Sequence, residues 1–201
     1  MLERIFLDGI IITLYNKAML KFIEKRSESI VNDIIGDIYG NKILDIGSGN
    51  CNVAKKLSSL GLDITALDVK NRSLIKPIKP VLYNGKQIPF KDNFFDTTLL
   101  IFVMHHTKDP VGLLKEAKRV SRKRIVIKED IYRNEREKLM TYISDSFVNF
   151  EFLSHPHTNK SDPDWKNVFT SLNLNLISYR YSIAKLLCFP FYHGTYILDK
   201  N

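Results

Sequence analysis

Two glycines stand one residue apart in the stretch LDIGSGNCNV, directly after an apolar run typical of a buried strand. Where a strand ends in a glycine loop that opens a helix, several backbone N–H groups and the positive end of the helix face one crevice. Gly47 and Gly49 allow a ligand to approach the backbone closely and permit a positive φ. The stretch is therefore a candidate cofactor loop, although Cys51 stands where a third glycine would continue the spacing.

A second signal is Asp68, which ends the next β-rich run, ITALD, about twenty residues further on. An acidic side chain at that point can accept hydrogen bonds from both hydroxyls of a ribose. The two signals together predict a ligand that contains adenosine. A dinucleotide fingerprint would need a third glycine where Asn52 stands, so the sequence argues against NAD, FAD and a dehydrogenase.

The composition of the chain limits the classes of protein to which these residues can belong. The chain has 201 residues, 44% hydrophobic and 26% charged, which predicts one globular domain over residues 1–201. Cys51 and Cys188 lack CxxC spacing, so no cysteine-rich zinc site is indicated. The most apolar early segment, IFLDGIIITLYNKAML, is interrupted by polar residues. We therefore expect no membrane span and a cytoplasmic protein.

The order of the secondary-structure elements predicts the fold class. Apolar spacing over residues 2–36 predicts two helices broken near Ser27, which form a helical cap over residues 1–40. From residue 42 onward, short β-rich runs alternate with helical stretches, which predicts a largely parallel sheet covered on both faces. Asp109 with Pro110 and Asp162 with Pro163 are predicted helix starts. The β-rich runs are KILDI, DITALD, VLY, DTTLLIFV, RIVIK, LISYRYS and GTYIL.

The last two of these runs are joined by only about ten residues, IAKLLCFPFY, which is too few for a helical crossover. The final strand is therefore predicted to be antiparallel to its neighbour. The connection is unusually apolar for a loop, so we interpret residues 183–193, with 131–163, as lid segments over an acceptor pocket. The alternative is that this loop merely packs on the N-terminal helices.

Residues 42–130 resemble the class I S-adenosylmethionine-dependent methyltransferases, in particular the type 11 group. ILDIGSGN and ALDV resemble the first motif and the ribose-binding acid of that family, and YNGKQIPFKDNFFDTTLLIFVMHH resembles its third and fourth motifs. DPVGLLKEAKRV is similar to the helix that follows them. The resemblance implies a Rossmann-like, doubly wound α/β fold with three layers. Its sheet would be mostly parallel and seven-stranded, with an antiparallel last strand.

The resemblance also implies S-adenosylmethionine as cofactor, with S-adenosylhomocysteine as product. Asp45 and the two loop glycines would surround the methionine part, and Asp68 would hold the ribose. Asn84 stands where the family usually has an aspartate that touches the adenine amino group. The predicted cofactor-binding residues are Asp45, Gly47, Ser48, Gly49, Asp68, Val69, Asn84, Gly85, Phe102 and His105.

Methyl transfer needs alignment above all, and one polar group to remove or steer a proton from a phenol, amine or thiol acceptor. All five histidines fall in loops predicted to face the cofactor, and Glu129 ends the fifth strand on the same side. We predict His106 and Glu129 as catalytic residues, the alternatives being that His105 and His106 plug the strand end and that Glu129 is solvated or caps a helix. His155 and His157 flank a proline as in a surface turn, so no metal is predicted.

A small, partly apolar or aromatic acceptor is the predicted substrate. The predicted acceptor-pocket residues are Tyr15, His155, Trp165, Tyr192 and His193. The net charge of +8 would suit nucleic acid, but the basic cluster in residues 115–124 is predicted at the end of the sheet away from the cofactor. We therefore expect no nucleic-acid substrate. The alternatives are an RNA or protein methyltransferase, or a non-catalytic member of the fold that binds adenosylmethionine; the sequence predicts neither the acceptor atom nor the oligomeric state.

Overall fold

The computed structural model describes residues 2–140, 159–186 and 189–200; it leaves undescribed the side chains of residues 2–16, 18, 185, 186 and 189. Within these ranges one seven-stranded sheet has the order β3-β2-β1-β4-β5-β7-β6. Strands β1 to β5 are parallel, and β7 runs antiparallel to both β5 and β6. This confirms the predicted fold. The strands are β1 Lys42–Ile46, β2 Asp63–Asp68, β3 Val81–Leu82, β4 Phe95–Ile101, β5 Ser121–Asp130, β6 Leu174–Leu186 and β7 Phe189–Lys200.

Five helices belong to the described residues, and one of them differs from the prediction. The expected break near Ser27 is wrong: α1 is continuous, and the Ser27 hydroxyl donates to the Ile23 carbonyl oxygen at 2.8 Å. A serine satisfied by the carbonyl four residues earlier can remain inside a helix. None of the described helices is long and apolar enough to cross a membrane. The helices are α1 Leu2–Ile34, α2 Asn52–Ser59, α3 Pro110–Val120, α4 with its described part at 135–140, and α5 Asp162–Ser171.

Helix starts follow the capping rules, with one shift. Asp109 caps α3 as predicted, since its Oδ1 accepts from the Gly112 N–H at 2.8 Å. Helix α5 is capped by Ser161 rather than by the predicted Asp162. The Ser161 hydroxyl accepts from the Asp164 N–H, and the Asp164 carboxylate accepts from the Ser161 N–H in return. Such a reciprocal pair satisfies two N–H groups that a helix start would leave unpaired.

The sheet has two packed faces because successive side chains of a strand point to opposite sides. One face packs against α1 and α2, and the other packs against α3 and α5. The first core includes Ile30, Val31, Ile34, Ile43, Leu57, Leu99, Val126 and Ile197. The second includes Leu44, Leu100, Leu114, Ile125, Ile127, Trp165, Phe169, Tyr196 and Leu198. The protein therefore has the three layers expected, with α1 on one side and α5 on the other.

The C-terminal part of α1 is fixed to the sheet by charged side chains. Lys128 of β5 is buried, and its Nζ lies 2.7 Å from Asp33 Oδ2. The Thr195 hydroxyl donates to the same oxygen at 2.9 Å. Arg180 of β6 pairs with Asp37 at 2.5 Å, just beyond the helix. These contacts hold one end of α1 against the antiparallel edge of the sheet.

The prediction of an apolar loop between the last two strands is wrong. Strands β6 and β7 pair as far as Leu186 and Phe189, so most of the IAKLLCFPFY segment is extended strand rather than a loop of about ten residues. Of the other predicted lid segment, residues 141–158 lie outside the described residues.

Candidate functional site

The loop after β1 has the conformation that its glycines allow. Gly47 has a φ of +72°, and a Cβ there would lie 2.2 Å from Val103 Cγ2. Gly49 has a φ of +51°, and a Cβ there would meet no atom nearer than 3.9 Å. The space above Gly49 is thus open to a ligand, whereas Gly47 is required for close packing of the loop.

Cys51 takes the conformation of the missing third glycine. Its φ of 61° and ψ of 16° place it in the left-handed region at the start of α2. That conformation costs an L-residue about 1–2 kcal/mol. The side chain is fully buried and packs with Ala54 and Ala66, which offsets part of this cost. The cysteine therefore preserves the backbone path of the loop.

Asp45 has a charge that the described residues do not compensate. Its carboxyl is 2% exposed, and its Oδ2 accepts no hydrogen bond from any described residue. Burial, with the nearby charge of Asp68, raises the pKa of Asp45 to about 7. The side chain lines the pocket next to the glycine loop. A ligand ammonium group would supply the missing partner and stabilise the ionised form.

Four predicted cofactor residues lie at or after the ends of β2 and β3, beyond the lining of that pocket, and these are Asp68, Val69, Asn84 and Gly85. Asp68 accepts from the N–H groups of Gly49 at 2.9 Å and Lys70 at 3.1 Å. Val69 and Gly85 face each other, since a Cβ on Gly85 would lie 3.3 Å from Val69 Cγ1.

Asn84 is exposed at the end of this region. Its Oδ1 accepts from the N–H groups of Lys86 at 2.9 Å and Gln87 at 3.0 Å. An amide oxygen has two lone pairs, and both are used by its own loop. Asn84 therefore presents its NH₂ donors rather than the acceptor that the family's aspartate would offer.

A pocket of about 240 Å³ adjoins the glycine loop on the α1 side of the sheet. One wall is a single face of α1, because its lining residues recur at helical spacing. That wall consists of Phe22, Ile23, Arg26, Ser27 and Ile30. The opposite side is formed by Phe102, His105, His106, Asp130 and Phe191. The pocket therefore combines three phenylalanines with a small group of ionisable side chains.

Glu129 lies beneath this pocket and does not line it. The side chain is fully buried, and its Oε1 accepts from the N–H groups of Val103 at 2.8 Å and Met104 at 2.7 Å. Its Oε2 lies 2.5 Å from Nδ1 of His105. The His105 ring is 1% exposed and does line the pocket. Glu129 thus holds both the turn after β4 and the ring of His105.

A second carboxylate and histidine pair stands beside the first. His193 Nε2 lies 3.1 Å from Asp130 Oδ1. Burial acts to raise the pKa of Asp130, but the contact with His193 and other positive charges nearby outweigh it and lower the pKa. The His193 ring also packs edge-on against Phe102, with 4.8 Å between ring centroids. Phe102 has a φ of +51°, and Arg26 lies 5.0 Å above its ring.

None of the predicted acceptor residues whose side chains the structure describes lines the pocket, although His106, a predicted catalytic residue, does. His106 is exposed and lines it, and His193 lies behind Phe102. The prediction of Trp165 as a pocket residue is wrong: it is fully buried with Phe169 in the core on the opposite face of the sheet. The prediction of Tyr192 is also wrong. Its side chain points to the opposite face of β7 from that of His193, and it stacks there on Tyr181. The Tyr15 side chain and the whole of His155 lie outside the described residues.

Sequence reasoning missed the wall that α1 provides. The apolar residues at 22, 23 and 30 with Arg26 and Ser27 have helical spacing, which could have indicated one exposed face. Nothing in that spacing says which part of the sheet the face would cover. Phe191 could have been found from its distance of two residues from His193, because both must share one side of a strand.

The basic residues at the amino end of the sheet have acidic partners. Arg122 pairs with Asp96 at 2.7 Å, and Arg124 pairs with Asp199 at 2.6 Å. Arg119 pairs with Glu116 at 2.8 Å. This surface is as far from the pocket as the strands are long, in agreement with the predicted position of the cluster.

Comparison with known proteins gives a consistent result. Residues 44–126 match the family described as Methyltransferase domain. A demethylmenaquinone methyltransferase of Renibacterium salmoninarum is 28% identical over 104 residues, which are 49% of this chain and 44% of that protein. The chain thus spans less than half the length of the curated relatives it matches.

Solved structures share the fold at low sequence identity. A Thermotoga maritima protein, described as an S-adenosylmethionine-dependent methyltransferase and possible histamine N-methyltransferase, has a TM-score of 0.69 and 14% identity. The match covers 92% of this chain and 96% of that one. Magnesium protoporphyrin IX methyltransferase of Synechocystis with bound S-adenosylhomocysteine has a TM-score of 0.63 and 12% identity, and covers 89% and 83%.

Proposed function

We propose that this chain, whose residues 44–126 belong to the methyltransferase-domain family, transfers a methyl group from S-adenosylmethionine to a small, partly apolar acceptor. The observation that carries the proposal is the unpartnered, buried Oδ2 of Asp45 beside the open space above Gly49. A site that combines an uncompensated carboxylate with exposed loop backbone fits the ammonium and carboxylate groups of a methionine moiety.

The residues present fit the cofactor along its length. Asp45 would pair with its ammonium group, and the loop through Gly47, Ser48 and Gly49 would surround the methionine part. Asp68 would accept from the ribose hydroxyls, and Val69 with Gly85 would flank the adenine. Phe102 and His105 would contact the cofactor from the end of β4. When bound, the cofactor supplies an electrophilic methyl group on a sulfonium.

The protein's own task is to hold the acceptor in line with that methyl group. Alignment of two reactants in attack geometry can supply roughly 7–11 kcal/mol of the barrier, so no covalent nucleophile is needed. The pocket is lined on one side by Asp45 and the glycine loop, which we assign to the methionine part, and its three phenylalanines favour an aromatic acceptor beside it. The matched relative of Renibacterium salmoninarum is named for a small-molecule substrate, which supports the same class.

Two alternatives stay open to experiment. An RNA or protein methyltransferase is motivated by the net charge of +8, although the ion pairs at the amino end of the sheet disfavour it. A non-catalytic member of the fold is motivated by Asn84 and Cys51. Methyl transfer to any acceptor, abolished in Asp45→Ala, would exclude the non-catalytic alternative.

Calorimetry with S-adenosylmethionine and S-adenosylhomocysteine tests the proposal. We expect saturable binding that weakens about 10–100-fold in Asp45→Ala and in Asp68→Ala, because each removes charged hydrogen bonds worth about 1.5–3 kcal/mol. Asp92→Ala is the matched control, since that carboxylate is exposed and pairs with Arg119 away from the pocket. Absence of binding, or binding indifferent to both pocket substitutions, would contradict the proposal.

A further inference from the structure

We propose that His105 accepts the proton of the methyl acceptor, and that Glu129 is the positioning residue which orients it. The acceptor would then be a phenol or enol, whose hydroxyl must lose its proton when the oxygen is methylated. This inference rests on the proposed function, and it assigns the proton to a histidine that the sequence placed in the cofactor site. It also replaces the direct proton-accepting role predicted for Glu129.

Glu129 is unsuited to meet a substrate. Its carboxylate is fully buried beneath the turn after β4 and does not line the pocket. Two backbone N–H groups and the His105 ring surround its oxygens at 2.5 to 2.8 Å. These three contacts occupy both oxygens of the carboxylate. Glu129 is therefore placed to act on the ring of His105 rather than on a ligand.

The contact with Glu129 fixes the tautomer of His105. If Glu129 accepts at this contact as it does from the two backbone N–H groups, Nδ1 of the ring carries the hydrogen, and we assign His105 that tautomer. In the neutral ring the lone pair then lies on Nε2, which is the form a general base requires. After proton uptake, the imidazolium would be stabilised by Glu129 on one side and by the nearby charge of Asp130. The same logic operates where a buried carboxylate orients a catalytic histidine.

The ring stands where an aromatic acceptor would be held. His105 lines the pocket with Phe102 and Phe191, and the Phe22 side chain of α1 lies on the opposite wall. A planar phenol among these rings would bring its hydroxyl to the polar end of the pocket, where the ionisable side chains gather. His106 shares the turn, with 4.1 Å between the two ring centroids, but its ring is exposed whereas that of His105 is buried.

The chemical step balances without a further reactant. The acceptor oxygen forms a bond to the methyl carbon while the carbon–sulfur bond breaks, and the electron pair of that bond stays on sulfur. The hydroxyl proton goes to Nε2 of His105. The ring becomes an imidazolium and returns the proton to solvent after the products leave.

Nuclear magnetic resonance of the full chain labelled with ¹⁵N-histidine tests the pair without any acceptor. His105→Asn assigns the resonance by its loss. We expect the neutral ring to carry its hydrogen on Nδ1, and we expect Glu129→Gln to lower the pKa of His105 by about one unit or more, since a neighbouring negative charge is removed. A hydrogen on Nε2, or a pKa unchanged in Glu129→Gln, would overturn the assignment. The other charged groups at this end of the pocket are Arg26, Asp45, His106, Asp130 and His193, and they are unaltered in that variant.

Turnover tests the catalytic role, with 1,4-dihydroxynaphthalene and catechol as phenolic probes and release of S-adenosylhomocysteine as the readout. We expect His105→Asn to lower kcat about 10²–10⁴-fold, measured at saturating S-adenosylmethionine so that weaker binding of the cofactor does not contribute to the loss. The limb of the wild-type pH profile in which kcat falls with falling pH should disappear in this variant. His106→Asn is the comparison for its neighbour, and we expect a smaller loss than for His105→Asn.

The outcomes separate this inference from the proposed function. No binding of S-adenosylmethionine by the wild-type chain would refute the proposed function itself. Intact binding together with full activity of His105→Asn, or with a greater loss in His106→Asn, would overturn only the role of His105. Intact binding with methylation of neither phenolic probe would also overturn it, because the inference assigns the acceptor to that class.

Discussion

The two ends of the sheet differ in how their charged side chains are paired. At the amino end, Arg122 is exposed and Arg124 is half-buried, and each lies within 2.7 Å of an aspartate. At the carboxyl end, Asp45 and Asp130 are buried; Asp45 Oδ2 makes no hydrogen bond to the described residues, whereas Asp130 Oδ1 lies 3.1 Å from His193 Nε2. The first arrangement suits a solvated surface. The buried carboxyl of Asp45 is costly for a folded chain alone, and a ligand of the kind we propose would complete it.

This difference puts a cost in folding stability at the end of the sheet where we propose that the cofactor binds. The net charge of +8 points to the basic cluster, yet its three arginines have acidic partners already. The uncompensated group is the buried carboxyl of Asp45, which no count of charges reveals. Four substitutions test how far the two ends differ.

The largest effect on stability is expected from Lys128→Ala, which breaks a buried pair between the two ends. It leaves Asp33 and Thr195 without the Lys128 ammonium that now lies 2.7 Å and 3.1 Å from them. We expect the free energy of unfolding to fall by about 3 kcal/mol, since removing one partner of a buried pair is strongly destabilising. Urea unfolding measures this change. A loss of unfolding free energy no larger than that for an exposed ion pair would show that the Lys128–Asp33 pair does not stabilise the protein more than a surface pair does.

Asp45→Asn is expected to stabilise the chain without cofactor at pH 8. The pKa of Asp45 in the folded chain, about 7, lies above its ordinary value of 3.8, so its contribution to stability is complete below about pH 4 and is lost as pH rises through 7. An amide avoids this loss, which is roughly 2–4 kcal/mol for a shift of about three units. Thermal unfolding at pH 4 and pH 8 should show a gain only at pH 8. An equal gain at both values would contradict the assigned burial of charge.

Cys51→Gly tests the energetic cost of the left-handed backbone conformation in the glycine loop. Glycine relieves the left-handed strain of about 1–2 kcal/mol, but it removes a fully buried side chain. We expect a net change in unfolding free energy within about 1 kcal/mol and unchanged binding of S-adenosylmethionine. Cys51→Val is the matched contrast, since a β-branched residue is disfavoured at this φ and should destabilise the loop. Equal stability of the two variants would contradict the assigned conformation.

The smallest effect is expected for Arg122→Ala at the amino end. The Arg122 side chain is 61% exposed, and exposed ion pairs contribute about 0–1 kcal/mol. Asp96 keeps the hydrogen bonds from the Asn41 and Lys42 N–H groups at 3.1 and 3.0 Å. Denaturant unfolding and calorimetry should both resemble wild type. A marked loss of cofactor binding would show that the basic end takes part in the site.

The sequence predicted the fold and the conformation of the glycine loop well because their signals are local; the cofactor contacts themselves stay a prediction. The glycine loop, Asp68 and the alternation of strands with helices need only neighbours in the chain, and the antiparallel last strand followed from the length of one connection. The acceptor side was predicted poorly because its walls come from distant segments. Trp165 was predicted as an acceptor-pocket residue, yet the face of the sheet that a residue meets depends on strand alternation and helix docking. The helix break predicted near Ser27 is wrong because the Ser27 hydroxyl is hydrogen-bonded inside the helix, which its position in the chain does not reveal.

The wall that α1 contributes separates two tasks along one helix. The turns that carry Phe22 and Arg26 are distinct from the turn that carries Asp33, which pairs with Lys128. Substitutions at Phe22 and Arg26 can therefore alter the pocket while the attachment of the helix stays intact. Residues 44–126, which match the methyltransferase-domain family, contain neither that helix nor β7. Proteins that match this segment can therefore differ in the walls that Phe22, Arg26 and Phe191 form here.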